Sequence, residues 1–179
     1  SLLYHHYPPT AILNVSKPIS MKPSLASDME MLHRSFKSFD VAPQDDFLES
    51  RVILLTNNDV QIGMARPRHS MTAYFYKNGD SDEVIFVHQG SGTCRTNYGE
   101  LDFKYGDYII IPRGVIYQMN FDTEDNKLLI IESHSPIIYP KKYTSKTGQL
   151  LEHSPYCERD IKQPKNLQTI IEEGEFLIK

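Results

Sequence analysis

The chain has 179 residues and a net charge of −4, from 19 basic and 23 acidic side chains. This length suits one domain, or one domain with arms. Hydrophobic residues make up 40% and charged residues 23%, an ordinary balance for a water-soluble protein, and the mild negative charge argues against a nucleic-acid partner. No apolar run approaches the roughly 20 residues of a membrane span, and the start carries no secretory signal. We therefore expect neither nucleic acid nor membrane as a partner.

The two cysteines, Cys94 and Cys157, lie far apart in the sequence. A disulfide framework needs more cysteines at shorter spacing, so we expect reduced thiols and a cytoplasmic location. The neighbours of Cys157 are Glu158 and Arg159, whose opposite charges give no clear activation of the thiol. Neither cysteine marks a nucleophile site.

The first 33 residues contain four prolines, at positions 8, 9, 18 and 23. Proline removes backbone donors and biases its neighbours to extended geometry, so residues 1–33 are predicted to form an extended arm. The arm is apolar, and we expect it to pack on the barrel or on a partner subunit. The chain starts in apolar sequence without Met, and residues 175–179 resemble the beginning of a strand, so we expect a segment of a longer protein.

Residues 27–39 admit two interpretations. Ser27 and Glu30 form a possible capping box, followed by large apolar residues at helical spacing, which indicates a helix. A short helical turn followed by a strand through residues 36–39 fits equally well. In either case the segment ends before Pro43.

Residues 34–134 show the pattern of a β-barrel or sandwich. Short runs of β-branched and aromatic residues alternate with turn sequences such as Asn57-Asn58-Asp59, which indicates antiparallel strands. Five glycines between positions 90 and 114 suit tight connections. The predicted strands are Val52–Thr56, Val60–Ala65, Thr72–Tyr76, Glu83–His88, Thr93–Thr96, Glu100–Phe103, Tyr108–Ile111, Val115–Phe121 and Lys127–Ser133. Residues 135–179 contain further prolines and aromatics, and they are predicted to form an irregular tail that wraps the barrel.

Two motifs in this region resemble those of the cupin β-barrels. Six residues separate Glu83 from Gly90, and five residues separate Gly106 from the sequence Pro112-Arg-Gly114. The resemblance implies an all-β fold, a cupin-like jelly-roll barrel with an extended N-terminal arm and an irregular C-terminal wrap.

The resemblance also implies where a metal would bind in other cupins. There, two histidines precede the glutamate and a third follows the Pro-x-Gly, but this chain has Tyr76, Asn78 and Tyr117 at those positions. Glu83 is the only ligand-type residue left. Tyr76 and Tyr117 could bind ferric iron as phenolates, but we favour core aromatics with bonded hydroxyls, since the usual histidine ligands are missing.

The histidines of the chain offer no second metal site. His88 lies five residues after Glu83, and an odd offset in a strand places the two on opposite faces. His69 follows a basic loop and is expected in solvent, although it could contact an anion. The adjacent His5 and His6 would face apart in an extended arm. His153, the most suggestive of them, has no histidine nearby in sequence and is expected to serve as a cap or at an interface.

Four longer stretches resemble homogentisate 1,2-dioxygenase, from the arm to the last residue. They are Asp45–Arg51, Tyr74–Asn78 with Asp82–Phe86, Tyr105–Gly114, and Leu150–Asp160 with the sequence LLEHSPYCERD. The last is the most specific, because a cupin barrel does not by itself require it.

This resemblance implies the N-terminal half of an enzyme that opens the ring of homogentisate with oxygen, giving maleylacetoacetate in tyrosine and phenylalanine catabolism. The family's Fe(II) is held by two histidines and one glutamate in the C-terminal half, which this chain does not contain. We therefore assign no catalytic, cofactor-binding or metal-binding residue here. The family forms trimers paired into hexamers, so we expect a homo-oligomer, and a small aromatic substrate for the whole enzyme.

Two other functions remain open from the sequence. A free-standing, non-catalytic cupin could bind a small ligand in its barrel, between the aromatic residues at the ligand positions. A metal-free isomerase would need a histidine base facing into the barrel, and Val115-Ile116-Tyr117 offers none at the usual place.

Overall fold

The computed structural model describes residues 4–5, 8, 11–18, 22–26, 33–165 and 174–179. Across these residues helical structure is limited to three short 3-10 turns, at Ser38–Asp40, Lys141–Tyr143 and Glu158–Asp160. The strands, numbered in chain order, are β1 (Arg51–Thr56), β2 (Val60–Ala65), β3 (Tyr76–Lys77), β4 (Asp82–Gln89), β5 (Ser91–Thr96), β6 (Gly99–Lys104), β7 (Tyr108–Ile111), β8 (Ile116–Phe121) and β9 (Lys127–Ser133).

The strands form two antiparallel sheets that enclose the core. One sheet has the order β1-β2-β9-β4-β7, and the other has the order β3-β8-β5-β6. Between them lies one cluster of buried side chains, which includes Phe47, Met71, Ile85, Val87, Met119 and Leu128. The predicted all-β jelly-roll fold is confirmed. No helix in the described ranges has the length and apolarity that crossing a membrane would require.

The hairpin between β1 and β2 shows how turn residues define the sheet. The side-chain oxygen of Asn57 accepts hydrogen bonds from the backbone N–H groups of Asp59 and Val60, both at 2.8 Å. This local bonding stabilises a tight turn, as asparagine does at such positions. Successive side chains of a strand point to opposite faces of the sheet, so every second side chain of a strand faces the interior of the barrel.

Two predicted strands differ from the structure. The predicted Thr72–Tyr76 strand is wrong except for its last residue, because only Tyr76–Lys77 pairs with β8. Before it, the backbone binds other partners: the C=O of Tyr74 accepts from the side chain of Gln118 at 3.1 Å. A strand through residues 36–39 is also wrong, since residues 33–37 form no helix or strand and Ser38–Asp40 is a 3-10 turn. The capping-box residues 27 and 30 lie outside the described residues.

The segments outside the barrel differ in their contacts. Residues 11–18 and 22–26 of the arm form no helix or strand, and Leu13 is 77% exposed. In the tail, Lys165 exchanges two backbone hydrogen bonds with Glu100 of β6, at 2.8 and 2.9 Å. Near the other end of the tail, Lys179 bonds to the backbone of Phe75 and Lys77. The tail therefore contacts both edges of the four-stranded sheet.

Asp82, the first residue of β4, fixes two loops to the barrel. One carboxylate oxygen accepts from the N–H of Arg113 at 3.0 Å, and the other accepts from the N–H of Ile137 at 2.8 Å. These backbone hydrogen bonds, from Arg113 first, hold the pKa of Asp82 below its ordinary 3.8. A carboxylate with a lowered pKa in the folded state stabilises the protein above the pKa of the unfolded chain.

Replacing Asp82→Asn is therefore expected to lower stability at neutral pH and to flatten its acid dependence. The wild type should lose the contribution of Asp82 as the pH falls below about 4 and through the lowered folded pKa. Urea unfolding of both proteins between neutral and acid pH measures this directly. The two stability curves should converge at low pH, and parallel curves would contradict the assignment.

Candidate functional site: a buried charge cluster in the barrel

Glu83, at the cupin ligand position, belongs to a cluster of polar side chains inside the barrel. Arg51 comes from β1, Tyr76 from β3, Glu83 from β4, Tyr117 from β8 and Glu132 from β9. Glu83 and Glu132 are cross-strand partners and share one face of their sheet, and Tyr76 and Tyr117 are partners in the other sheet. Arg51 is paired with the fully buried Ala65. Glu83 and Tyr117 are both fully buried.

Arg51 is the centre of the cluster. Its Nη1 donates to Glu83 Oε1 at 2.7 Å and to Glu132 Oε1 at 3.2 Å. Its Nη2 donates to the hydroxyl of Tyr117 at 2.7 Å, and that hydroxyl donates in turn to Glu83 Oε2 at 2.6 Å. The second oxygen of Glu132 accepts from the side-chain amide of Asn78 at 3.0 Å. Both oxygens of the buried Glu83 carboxylate are thus occupied by donors of the chain itself.

Aromatic rings enclose the guanidinium group. It lies 4.5 Å from the ring centroid of Phe47 and 5.0 Å from that of Tyr76. The Tyr76 ring meets Tyr117 edge-on, with 5.5 Å between centroids. A cation over an aromatic face is attracted by the ring quadrupole, more strongly where water is excluded. The rings therefore help to keep a charge inside a barrel whose other contents are apolar.

The electrostatics favour a charged arginine and neutral tyrosines. Burial lowers the pKa of Arg51, but the neighbouring Tyr117, Glu83, Tyr76 and Glu132 together raise it by more. The pKa of Arg51 therefore lies above the ordinary value of an arginine. Burial is also the main reason that the pKa of Tyr76 rises to about 12, and it raises the pKa of Tyr117 well above 10. The hydrogen bond to Glu83 adds to the effect at Tyr117, since it uses the phenolic proton.

These residues do not fit a ferrous ion. A non-haem Fe(II) site needs two histidines and a carboxylate with open positions, but the carboxylate of Glu83 is bound by a cation and a hydroxyl. A guanidinium group would also repel a second cation at this position. In the described part of the chain, no group of three or more His, Cys, Asp and Glu side chains is placed to hold a metal ion.

The structure also decides between the two interpretations of the tyrosines. A ferric phenolate would require Tyr117 to lose the proton that it donates to Glu83, and its raised pKa opposes that loss. The ring of Tyr117 instead packs against those of Phe47 and Tyr76, and its hydroxyl is hydrogen-bonded. The prediction of a core aromatic with a bonded hydroxyl is confirmed for Tyr117, whereas Tyr76 is partly buried against the core.

The histidines lie apart from the cluster. His88 is on the outer face of β4 and stacks on Phe39, with 4.4 Å between ring centroids, so the predicted opposition to Glu83 is confirmed. His69 is exposed and its Nδ1 lies 2.6 Å from Asp45 Oδ1. His5 and His153 are exposed, and His6 lies outside the described residues.

The two cysteines lie in different environments, Cys94 in the core and Cys157 beside a short turn of the tail. Cys94 is fully buried in β5, and burial, with a smaller effect of Glu83, raises the pKa of its thiol to about 12. Cys157 precedes the turn Glu158–Asp160, and its backbone N–H donates to the Asp160 carboxylate at 3.0 Å. Because the pKa of the Cys94 thiol is raised, this thiol stays protonated at neutral pH and is a poor nucleophile.

Sequence reasoning missed the residues that complete the cluster. Arg51 and Phe47 carry no prediction beyond the family resemblance of the stretch Asp45–Arg51, and Glu132 carries none. The available signal was a charged residue at the first position of an otherwise apolar strand, Arg51-Val-Ile-Leu-Leu. A charge at such a position needs a buried partner if the register turns it inward.

Comparison with known proteins places the chain among relatives. Residues 9–142 match the family described as homogentisate 1,2-dioxygenase N-terminal. A protein of Saccharolobus solfataricus, named "Putative dioxygenase SSO1533", is 35% identical over 176 residues. The matched region covers 98% of this chain and 45% of that protein, so the chain spans less than half of this relative's length.

Solved structures with a similar shape include two small proteins. A cupin-2 domain containing protein from Shewanella frigidimarina has a TM-score of 0.45 and 23% identity, over 53% of this chain and 87% of that one. Protein NMB1881 from Neisseria meningitidis has a TM-score of 0.45 and 15% identity, over 54% of this chain and 93% of that one.

Proposed function

Since the chain belongs to the family of homogentisate 1,2-dioxygenase N-terminal domains, we propose that it is the N-terminal, non-metal-binding half of such an enzyme. The whole enzyme would cleave the ring of homogentisate with O₂ to give maleylacetoacetate, in the breakdown of tyrosine and phenylalanine. The named dioxygenase relative, of which this chain matches 45%, supports a protein with a further part of similar size.

One observation carries the assignment of this half as scaffold. The glutamate at the cupin ligand position is neutralised by Arg51 and capped by the Tyr117 hydroxyl, which leaves it no free oxygen. A fixed guanidinium thus supplies the positive charge that a metal supplies in other barrels of this type. The chemistry of Fe(II), which is to bind oxygen and substrate together, would belong to residues of the other half.

In this proposal the role of this half of the enzyme is structural. Its interior is filled, because Phe47, Ile85, Met119 and Tyr117 are fully buried around the cluster. A packed interior of this kind resists deformation and can present its surface to a second barrel in one fixed orientation. The same filling disfavours the free-standing ligand-binding cupin, since a small molecule in the barrel would have to displace these side chains.

Oxygen uptake tests the proposal. The 179-residue chain, supplied with ferrous iron and homogentisate, is expected to consume no oxygen above the rate of the same mixture without protein. The protein isolated from its source, whose mass should be well above 20.7 kDa, is the positive control. Turnover by the 179-residue chain would contradict the scaffold role and would call for a metal site in this barrel.

A further inference from the structure

The turn between β3 and β4 has the sequence Asn78-Gly79-Asp80-Ser81. Asparagine is one of the chemically labile residues of proteins. When glycine follows it, the backbone nitrogen of the glycine can attack the asparagine Cγ and close a cyclic imide, and glycine hinders this attack least because it has no Cβ. The surroundings of Asn78 decide whether this turn favours the reaction.

The side-chain oxygen of Asn78 is held by two backbone donors. Asn78 Oδ1 accepts from the N–H of Asp80 and from the N–H of Ser81, both at 3.0 Å. These bonds fold the side chain back over the peptide group that joins residues 78 and 79, as in other turns that begin with asparagine. Attack on Cγ places negative charge on Oδ1, and two fixed backbone N–H groups stabilise such a charge.

The side-chain nitrogen of Asn78 lies beside a carboxylate. Asn78 Nδ2 donates to Glu132 Oε2 at 3.0 Å, and Asn78 is only 8% exposed. This nitrogen must take up a proton before it can leave, so it becomes cationic during the reaction. A carboxylate at hydrogen-bond distance stabilises that charge, and it does so more strongly than in bulk water because the pair is largely buried.

The attacking group, the backbone nitrogen of Gly79, is accessible. Gly79 is exposed, and among the described residues none accepts a hydrogen bond from its N–H. No atom of the described residues lies within 4 Å of the position that a Cβ would take at Gly79. A base from solvent can therefore reach the N–H proton, which must be removed before the nitrogen bonds to Cγ.

We propose that Asn78-Gly79 is a self-modifying site, at which asparagine is converted to aspartate or isoaspartate with water as the second reactant. The Gly79 nitrogen gives its proton to solvent and bonds to Asn78 Cγ. The bond between Cγ and Nδ2 breaks, and Nδ2 leaves as ammonia with a proton from solvent. Water then opens the imide at either carbonyl group. An amide and a water molecule thus give a carboxyl group and ammonia, without an oxidant or a cofactor.

The conversion changes the charge cluster of the barrel. In the aspartate product, the amide that donates to Glu132 is replaced by a second carboxylate, and two like charges at this distance repel each other. The isoaspartate product also routes the main chain through the side chain of residue 78. It thereby displaces the C=O of Asn78, which accepts from the N–H of Gly114 at 2.7 Å. Both products weaken the barrel as the protein ages.

Incubation of the 179-residue chain at mildly alkaline pH, followed by peptide mass spectrometry and an ammonia assay, tests the proposal. We expect Asn78 to convert before the other asparagines, with an equal amount of ammonia released. Asn57 is the matched control in the same molecule, because its Oδ1 also accepts from the backbone two and three residues further on, whereas Asn58 follows it. Asn57 should convert at least about tenfold more slowly, since a side chain at the next residue hinders the attack.

Two variants separate the contributions of the glycine and the carboxylate. Gly79→Ala should slow the conversion of Asn78 about tenfold or more, because the added Cβ hinders the approach of the nitrogen while it meets no described atom. Glu132→Gln should slow it about a hundredfold, the order of effect of one fixed group beside a developing charge. Circular dichroism checks that both variants fold.

Each outcome decides the proposal. Conversion of Asn78 at the rate of Asn57, or at an unchanged rate in Gly79→Ala, would overturn it. Faster conversion in a folded Glu132→Gln would overturn it as well, because the cluster would then protect the amide. If Glu132→Gln does not fold, Gly79→Ala and the comparison with Asn57 decide alone. The result does not depend on the dioxygenase assignment, which the oxygen-uptake experiment tests separately.

Discussion

Replacing Arg51→Met is expected to lower the free energy of unfolding by about 3–5 kcal/mol, the cost of removing one partner from a buried ion pair. The substitution keeps most of the side-chain volume between Phe47 and Tyr76 but leaves the carboxylate of Glu83 buried without its cation. Glu132 would lose its partner too, although it is partly exposed and can be solvated. Urea unfolding monitored by circular dichroism measures the loss.

A double-mutant cycle separates the ion pair from simple loss of packing. Glu83→Gln removes the charge that Arg51 neutralises, so the double variant should lose less stability than the two single variants together. Arg159→Met is the matched control, because the Arg159 side chain is 85% exposed. It should change stability by no more than about 0.5 kcal/mol. Additive losses from Arg51→Met and Glu83→Gln would show that the pair does not act as a unit.

Replacing Gly92→Ala is expected to cost about 3 kcal/mol, because an added Cβ would overlap the backbone oxygen of Asn120 in β8. The same Cβ would come within 2.8 Å of the Phe103 ring, which packs in the core. Neither neighbour can move freely, since Asn120 lies in a ladder of paired strands and Phe103 is buried. Thermal unfolding and hydrogen exchange of the β5 and β8 amides would measure the loss and its location.

Gly79→Ala provides the control for this prediction. Gly79 has no atom within 4 Å of the position that a Cβ would take, so the change should leave stability within about 0.5 kcal/mol. Equal behaviour of the two variants would contradict the argument from close approach, and would point to backbone entropy as the common cause.

The strands and the interior position of Glu83 follow from local sequence. Alternation along β4 turns Glu83, Ile85 and Val87 inward and His88 outward, which a period of two predicts without any tertiary information.

The glycines of the barrel have two different structural roles, of which the sequence predicts one. Gly90 and Gly106 have positive φ in tight connections, as predicted, whereas Gly92 lies inside β5 and is required by the approach of another strand.

The cluster could not be predicted in the same way, because its contacts are distant in sequence. Arg51 lies 32 residues from Glu83, 66 from Tyr117 and 81 from Glu132. Their meeting depends on the order of strands in two sheets, which no single stretch specifies. The predicted strand Thr72–Tyr76 differs from the short β3 for a related reason. A hydrogen bond from the Gln118 side chain to the C=O of Tyr74, between residues distant in sequence, replaces the expected pairing with a neighbouring strand.

The cluster also has a consequence for how the chain selects its strand register during folding. A slip of β4 by one residue would turn Glu83 to the outside and leave the guanidinium of Arg51 with only the partly exposed Glu132 as its counter-charge. Such a slip costs more than the lost apolar contacts of an ordinary sheet, because it would also break the buried ion pair of Arg51 and Glu83. Arg51 and Glu83 therefore penalise alternative pairings that the repetitive apolar runs of β4, β7 and β9 would otherwise permit.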